Sequence, residues 1–147
     1  MLHMTTTTTS APLIESILRL KHCCEMQEAK IVATAALSPA ECVCLRETPS
    51  AASIDAGSLC LRMRLSPSRG GRVIESLVQR GLLARQTHAN DRRVCLVTLT
   101  KRGRARQRRL DASFVACDAK LGAKLSPRER HDIDLALGAL LRALEQP

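Results

Sequence analysis

Apolar residues recur at near-helical spacing along the first part of the chain. Leu13, Ile17, Leu20, Cys24 and Ile31 fall on one stripe, which predicts a helix from about Pro12 into the low thirties. The triplet Leu-Ser-Pro then occurs three times, as Leu37-Ser38-Pro39, Leu65-Ser66-Pro67 and Leu125-Ser126-Pro127. Ser is a strong N-cap, and Pro suits the first helical position because the N–H it lacks would have no partner there. Glu41 and Glu129 follow Ser38 and Ser126 at the spacing of a capping box. The second helix is therefore expected from Ser38 to near Thr48, before Pro49, and residues 49–53 read as a connector. A short third helix is expected over about Ala56–Leu65, and a fourth over Pro67–Arg80 with Gly81 closing it. The periodicity then changes. Leu83–Thr87 and Val94–Leu99 read as two strands joined by the polar segment His88–Arg93, with Cys95, Val97 and Leu99 on one face. A long helix follows from Lys101 to about Leu121, with Leu110, Phe114, Cys117 and Leu121 on its stripe. A last one spans Pro127–Leu144, carrying Ile133, Leu137, Leu140, Leu141 and Leu144.

This pattern predicts a mostly α protein with a small β-hairpin wing: a winged helix-turn-helix domain plus terminal helices that form a dimerisation region. The chain divides into a low-complexity, disordered tail (1–10), a dimerisation helix (11–36), a DNA-binding domain (37–103), and a long helix with a C-terminal dimerisation helix (104–147). The terminal stripes hold more Leu and Ile than a small winged-helix core can cover. They close either an intramolecular bundle or a helical dimer interface. The dimer is preferred, because it doubles the basic surface and lets two recognition helices meet successive major grooves.

Charge sharpens this. Between Arg62 and Arg109 stand fourteen Arg or Lys and two acids, Glu75 and Asp91, a net +12 within a chain of +9. A basic helical pair followed by a basic hairpin suits a DNA duplex held by its phosphates. With no Trp, no Tyr and the single aromatic Phe114, recognition by base stacking is disfavoured. No run reaches the roughly 18 apolar residues of a membrane span. The first ten residues lack the basic and apolar regions of a secretory leader, so a cytoplasmic protein with reduced thiols is expected. No Gly-rich phosphate loop, Ser-His-Asp arrangement or catalytic carboxylate pair occurs, and His3, His22, His88 and His131 are scattered, so no enzymatic activity is expected.

The DNA-contact candidates follow from position. Arg62–Arg69 spans the tight junction between third and fourth helices. In such a pair the second helix enters the major groove by its N-terminal residues, here Ser66, Ser68, Arg69, Gly71 and Arg72. Arg69 and Arg72 share a face and can reach guanine or a phosphate; the plainer alternative is a solvated basic face. At the hairpin tip, His88, Asp91, Arg92 and Arg93 suit a minor groove, with Asp91 orienting Arg93. Arg102, Arg104, Arg106, Arg108 and Arg109 read as a general phosphate-attracting field.

The stretch from Leu65-Ser66-Pro67-Ser68-Arg69-Gly70-Gly71-Arg72 to Gly81-Leu82-Leu83, with Asn90-Asp91-Arg92-Arg93 and a strand ending Leu99-Thr100-Lys101-Arg102-Gly103, resembles the MarR family of winged-helix regulators. The Asp-x-Arg wing and the closing Leu-Thr-x-x-Gly are the specific part, and Ser38-Pro39-Ala40-Glu41 matches the usual start of the second helix. The resemblance implies an obligate homodimer joined by its terminal helices. It also implies a pseudo-palindromic duplex operator, and usually repression relieved by a small molecule or by oxidation. By position it puts Ser66, Ser68, Arg69 and Arg72 among the recognition-helix contacts, and Asp91 and Arg93 on the wing. Two departures stand out. Gly70-Gly71 replaces a β-branched and a small polar residue; glycines inside a helix cost roughly 1 kcal/mol each, predicting a less rigid recognition helix or one ordered by DNA. Ser76 replaces a position that is often basic.

Of the seven cysteines, Cys60, Cys95 and Cys117 read as small core residues. Cys23, Cys24, Cys42 and Cys44 leave three readings open: packing beside an ordinary small-molecule effector, thiol redox sensing with Lys21 or His22 lowering the thiol pKa, or a metal or Fe–S site. The spacing weighs against the last, since helical neighbours one or two apart diverge by about 100° or 200°. No cofactor is expected. A non-specific architectural DNA-binding protein remains an alternative to a sequence-specific regulator.

Overall fold

The computed structural model describes residues 12–87, 91 and 94–145. The expected tail and the wing residues His88, Arg92 and Arg93 lie outside the described residues. The elements run α1 (Leu13–Ala35), α2 (Pro39–Glu47), β1 (Ile54–Asp55), α3 (Ala56–Arg62), α4 (Pro67–Gln79), β2 (Leu83–Thr87), β3 (Cys95–Leu99), α5 (Lys101–Gly122) and α6 (Pro127–Glu145). The strands form one antiparallel sheet in the order β1-β3-β2, with Leu83 opposite Leu99, Thr87 opposite Cys95 and Ile54 opposite Val97. Strand β1 is the element sequence periodicity missed, because two residues carry no period. Helix α3 ends earlier than Leu65: Leu65 N–H reaches back to Cys60 O at 3.0 Å and Arg64 N–H to Leu61 O at 2.9 Å, with Arg64 at φ 55°. This is a Schellman closure with an arginine where glycine is usual.

The helix starts are held by the predicted side chains. Ser38 Oγ accepts from Glu41 N–H at 3.2 Å while Glu41 Oε2 accepts from Ser38 N–H at 2.8 Å. Ser126 and Glu129 repeat the reciprocal pair at 3.2 and 2.8 Å. Asp55 caps α3, accepting from Ser58 N–H at 2.8 Å.

The core lies between α2, α3, α4, the start of α5 and the sheet, with Leu45, Leu59, Ile74, Leu77, Leu83, Val97 and Leu110 fully buried. Burying each such side chain contributes about 2 kcal/mol. The Leu99-Thr100-x-x-Gly103 segment closes it. Thr100 Oγ1 donates to Gly81 O at 2.8 Å and accepts from Gly103 N–H at 2.9 Å, joining the end of α4 to the start of α5. A Cβ on Gly103 would collide with Leu82 O, so only glycine lets α5 lie this close to β2. Gln107 Nε2, buried on α5, donates to Leu45 O at 2.6 Å and Thr48 O at 2.8 Å, satisfying carbonyls at the end of α2 that the helix itself leaves open.

The terminal helices contrast with this. Val32 is the only buried residue of α1, and α6 has none. Leu13, Ile14, Leu18, Leu20, Leu135, Leu141 and Leu144 are exposed, as are Val115 and Leu121 near the end of α5. A bundle closed within one chain, the plainer of the two expected arrangements, is therefore not what these helices form.

Candidate DNA interface

Helices α3 and α4 meet where Gly70 passes over Cys60. A Cβ on Gly70 would stand 2.3 Å from Cys60 Sγ, while one on Gly71 would meet nothing within 4 Å. The two glycines thus have different reasons. Gly70 is there for close approach, and the α-helix runs unbroken through both. Ser66 caps α4 by accepting from Arg69 N–H at 3.4 Å. Beyond this cap the outer face carries Ser68, Arg69 and Arg72, all exposed, with Gly71 half-buried. Among the described residues, neither Arg69 nor Arg72 has an ion-pair partner. An open cleft continues this face toward the sheet, lined by Arg72, Glu75, Gln79 and Arg85 among others. There Arg85 Nη1 of β2 pairs with Glu75 Oε2 at 2.9 Å, and Gln79 Nε2 donates to Glu75 Oε1 at 3.4 Å. Glu75, Gln79 and Arg85 share this surface with Arg72, although the sequence proposed none of them as a contact. A count of residues along α4 would have placed Glu75 and Gln79, one and two turns after Arg72. Arg85 needed the strand register.

The flank of α4 is tied to α2. Glu41 accepts from the Ser76 hydroxyl at 2.7 Å and from Arg80 Nη1 at 3.0 Å. Burial opposes ionisation of Glu41, but bonds from the Ser38 amide, Ser76 and Arg80 outweigh it and hold the carboxyl below its ordinary value. Serine at position 76, a departure from the expected basic residue, is thus a donor to a buried carboxylate.

Two arginines of the basic field also have partners within the fold. Arg104 Nη1 donates to Leu99 O at 2.9 Å and Arg106 Nη1 to Ala35 O at 3.0 Å, so both are bound to backbone carbonyls of the fold rather than serving only as a general field. Arg102, Arg104, Arg108 and Arg109 are exposed, as the field reading requires, and Arg106 is half-buried. Asp91 is exposed, and its carbonyl accepts from Val94 N–H at 3.0 Å in the turn. Its expected partner, Arg93, is outside the described residues.

The cysteines divide by place. Cys23 and Cys24 are exposed on α1, where Lys21 pairs with Glu25 at 3.6 Å. Cys42 and Cys44 are buried in the core. Burial pushes the Cys44 thiol up to about 12 and raises that of Cys42, with Glu28 and Glu41 adding to the latter. These two are protonated packing groups, unlike the electropositive, accessible setting of a reactive thiol. Cys60 is buried under Gly70, as a small core residue should be; Cys95 and Cys117 are half-buried. Among the described residues no group of three or more His, Cys, Asp or Glu is arranged to hold a metal ion. Among the same residues no helix is long and apolar enough to cross a membrane.

An exposed, arginine-bearing helix set on a second helix and flanked by an antiparallel hairpin defines a winged helix-turn-helix DNA-binding protein. Relatives agree. The HTH-type transcriptional repressor Rv2887 of Mycobacterium tuberculosis is 33% identical over 103 residues, covering 66% of this chain and 74% of that protein. The repressor Mb2911 of Mycobacterium bovis aligns with the same figures. No family model matches the chain. Among solved structures, the MarR family protein Rv2887 in complex with DNA superposes with a TM-score of 0.73 at 25% identity, over 89% of this chain and 98% of that one. Apo MarR from E. coli has the same fold, with a TM-score of 0.76 at 21% identity over 90% and 98% of the two chains. This chain belongs to the MarR family of winged helix-turn-helix transcriptional regulators.

Proposed function

We propose that the protein is a homodimeric repressor that binds a pseudo-palindromic duplex operator in the cytoplasm, with α4 in the major groove and the hairpin tip in the adjacent minor groove. The observation that carries this reading is the exposed Ser68-Arg69-Arg72 face at the start of α4, whose arginines have no ion-pair partner among the described residues. The unburied apolar faces of α1 and α6 support the dimer, since a second copy is the partner that would cover both at once. Selection on random duplexes should return a site with two related half-sites about one helical turn, or a multiple of it, apart. Fluorescence anisotropy should then give a preference over random DNA of roughly 10³ or more. Equal affinity for any duplex would favour the architectural alternative. Arg72→Ala should weaken operator binding by about ten- to a hundredfold and leave the melting temperature unchanged.

For the signal, the reading favours a small effector over cysteine oxidation. A cavity of about 390 Å³ lies between α1 and α5, lined by Ile31, Thr34, Ala35, Arg106, Leu110 and Ser113 among others. Its hydroxyls, arginines and apolar walls suit a small amphipathic anion, whereas Cys42 and Cys44 are buried and protonated. No cofactor is part of this reading. Peroxide treatment that abolishes operator binding, reversed by thiol reductant and lost on replacing Cys23 and Cys24 by Ser, would overturn it in favour of redox sensing.

A further inference from the structure

We infer that Glu41 is a positioning residue for DNA recognition: through Ser76 and Arg80 it fixes the rotation of α4 about its own axis, and through Arg80 it ties that helix to the end of α1. The inference rests on the reading of α4 as the groove-entering helix. Glu41 is 7% exposed and gathers partners from separate elements. Its Oε2 accepts from Ser38 N–H at 2.8 Å and Arg80 Nη1 at 3.0 Å, and its Oε1 from the Ser76 hydroxyl at 2.7 Å. The other arm of Arg80, Nη2, donates to Ala36 O at 2.8 Å. Ala36 ends α1 in the left-handed region at φ 51°, and α1 has no basic residue in its own last turn. Arg80 from α4 and Arg106 from α5 supply the cations for that end, on Ala36 O and Ala35 O.

The geometry suits orientation better than it suits stability. A buried ion pair is costly to desolvate, and apolar residues of similar size often stabilise a core as well or better. What such a pair adds is direction. Apolar packing under Ile74 and Leu77 resists separation of α4 from the core but is tolerant of small rotations; two charged or hydroxyl donors one turn apart on a single carboxylate are not. Arg72, Ser76 and Arg80 are spaced four apart along one stripe, so a rotation that breaks Ser76 from Glu41 swings Arg72 across the groove by the same angle.

The test is Glu41→Gln, with Ser76→Ala as second variant. Gln at this position can still complete the capping box, and Ser76→Ala leaves that box untouched. Removing a negative charge from a basic DNA-binding protein should, by general electrostatics alone, tighten binding. Positioning demands the opposite: operator affinity about tenfold weaker for Glu41→Gln and about threefold weaker for Ser76→Ala. The salt dependence should keep the wild-type slope, because no phosphate contact is lost. Measurement at low temperature, where circular dichroism shows both variants folded, separates orientation from instability. Wild-type or tighter binding by folded Glu41→Gln would overturn the inference and leave the DNA-binding reading intact. Absence of operator binding by the wild type itself would overturn that reading, and this inference with it.

Discussion

The two ends of this molecule solve the burial problem differently. The winged head, from α2 to the first turns of α5, buries most of its apolar residues within one chain, Leu61 excepted, and satisfies its polar ones internally: Gln107 on the carbonyls of α2, Thr100 between α4 and α5, Glu41 among Ser38, Ser76 and Arg80. The terminal helices are as rich in Leu and Ile but leave them in solvent. The head is therefore closed by its own residues together with the end of α1, whereas most of α1, the end of α5 and α6 leave their apolar faces uncovered. In the proposed dimer, the stalk sets the distance between two heads whose own geometry is fixed by their internal bonds.

Four experiments would break or sharpen that contrast. The largest effect is expected in the head. Gly103→Ala places a Cβ against Leu82 O, a backbone atom that cannot move aside, and should cost about 3 kcal/mol by chemical denaturation. A near-neutral result would mean that the α5–β2 junction is not tightly packed. In the stalk, Leu137→Asp with Leu141→Asp should raise the dimer dissociation constant at least a hundredfold, about 2.7 kcal/mol, read by analytical ultracentrifugation. A wild type that sediments as a monomer would remove the contrast altogether. Within the head, the adjacent glycines should respond with opposite signs. Gly70→Ala, forced against Cys60, should destabilise by about 1–3 kcal/mol. Gly71→Ala, facing open space, should stabilise by up to about 1 kcal/mol through helix propensity.

The smallest effect is on pH dependence. The Glu41 carboxyl is held below its ordinary value of 4.5 in the fold, so its contribution to stability is fully present above that value. It is lost as pH falls through the lower folded value. Glu41→Gln should flatten the stability profile of the head in that acid range and leave its shape near neutrality unchanged. An identical acid limb in wild type and variant would contradict the Glu41 network.

Much of the fold was legible because its signals are local. The Leu-Ser-Pro triplets, the two capping boxes, the change of period at Leu83 and the glycine after Arg80 each act within a few residues, and the structure keeps all of them. The outward face at Ser68, Arg69 and Arg72 was legible for the same reason, since helical phase follows from counting. The close approach that requires Gly70 could not be read from the sequence, because Cys60 lies on another helix. The carbonyl that Arg106 binds, Ala35 O, lies 71 residues away and cannot be found by counting charges, whereas Arg104 reaches Leu99 O only five residues back. Glu41 was recognised as a helix cap, and its second role toward α4 went unread.

Sequence alone determined the order and starts of the helices, the hairpin, the concentration of positive charge between Arg62 and Arg109, and the apolar excess of the terminal helices. These depend on spacing, capping and composition, which are properties of neighbours along the chain. Only the tertiary structure decided which glycine is a contact, which arginines are bonded to the fold, which cysteines are buried and which carboxylate is bonded to α4. Those depend on atoms from segments up to 71 residues apart, as with Arg106 and Ala35, meeting within 3.5 Å. No one-dimensional pattern carries that information.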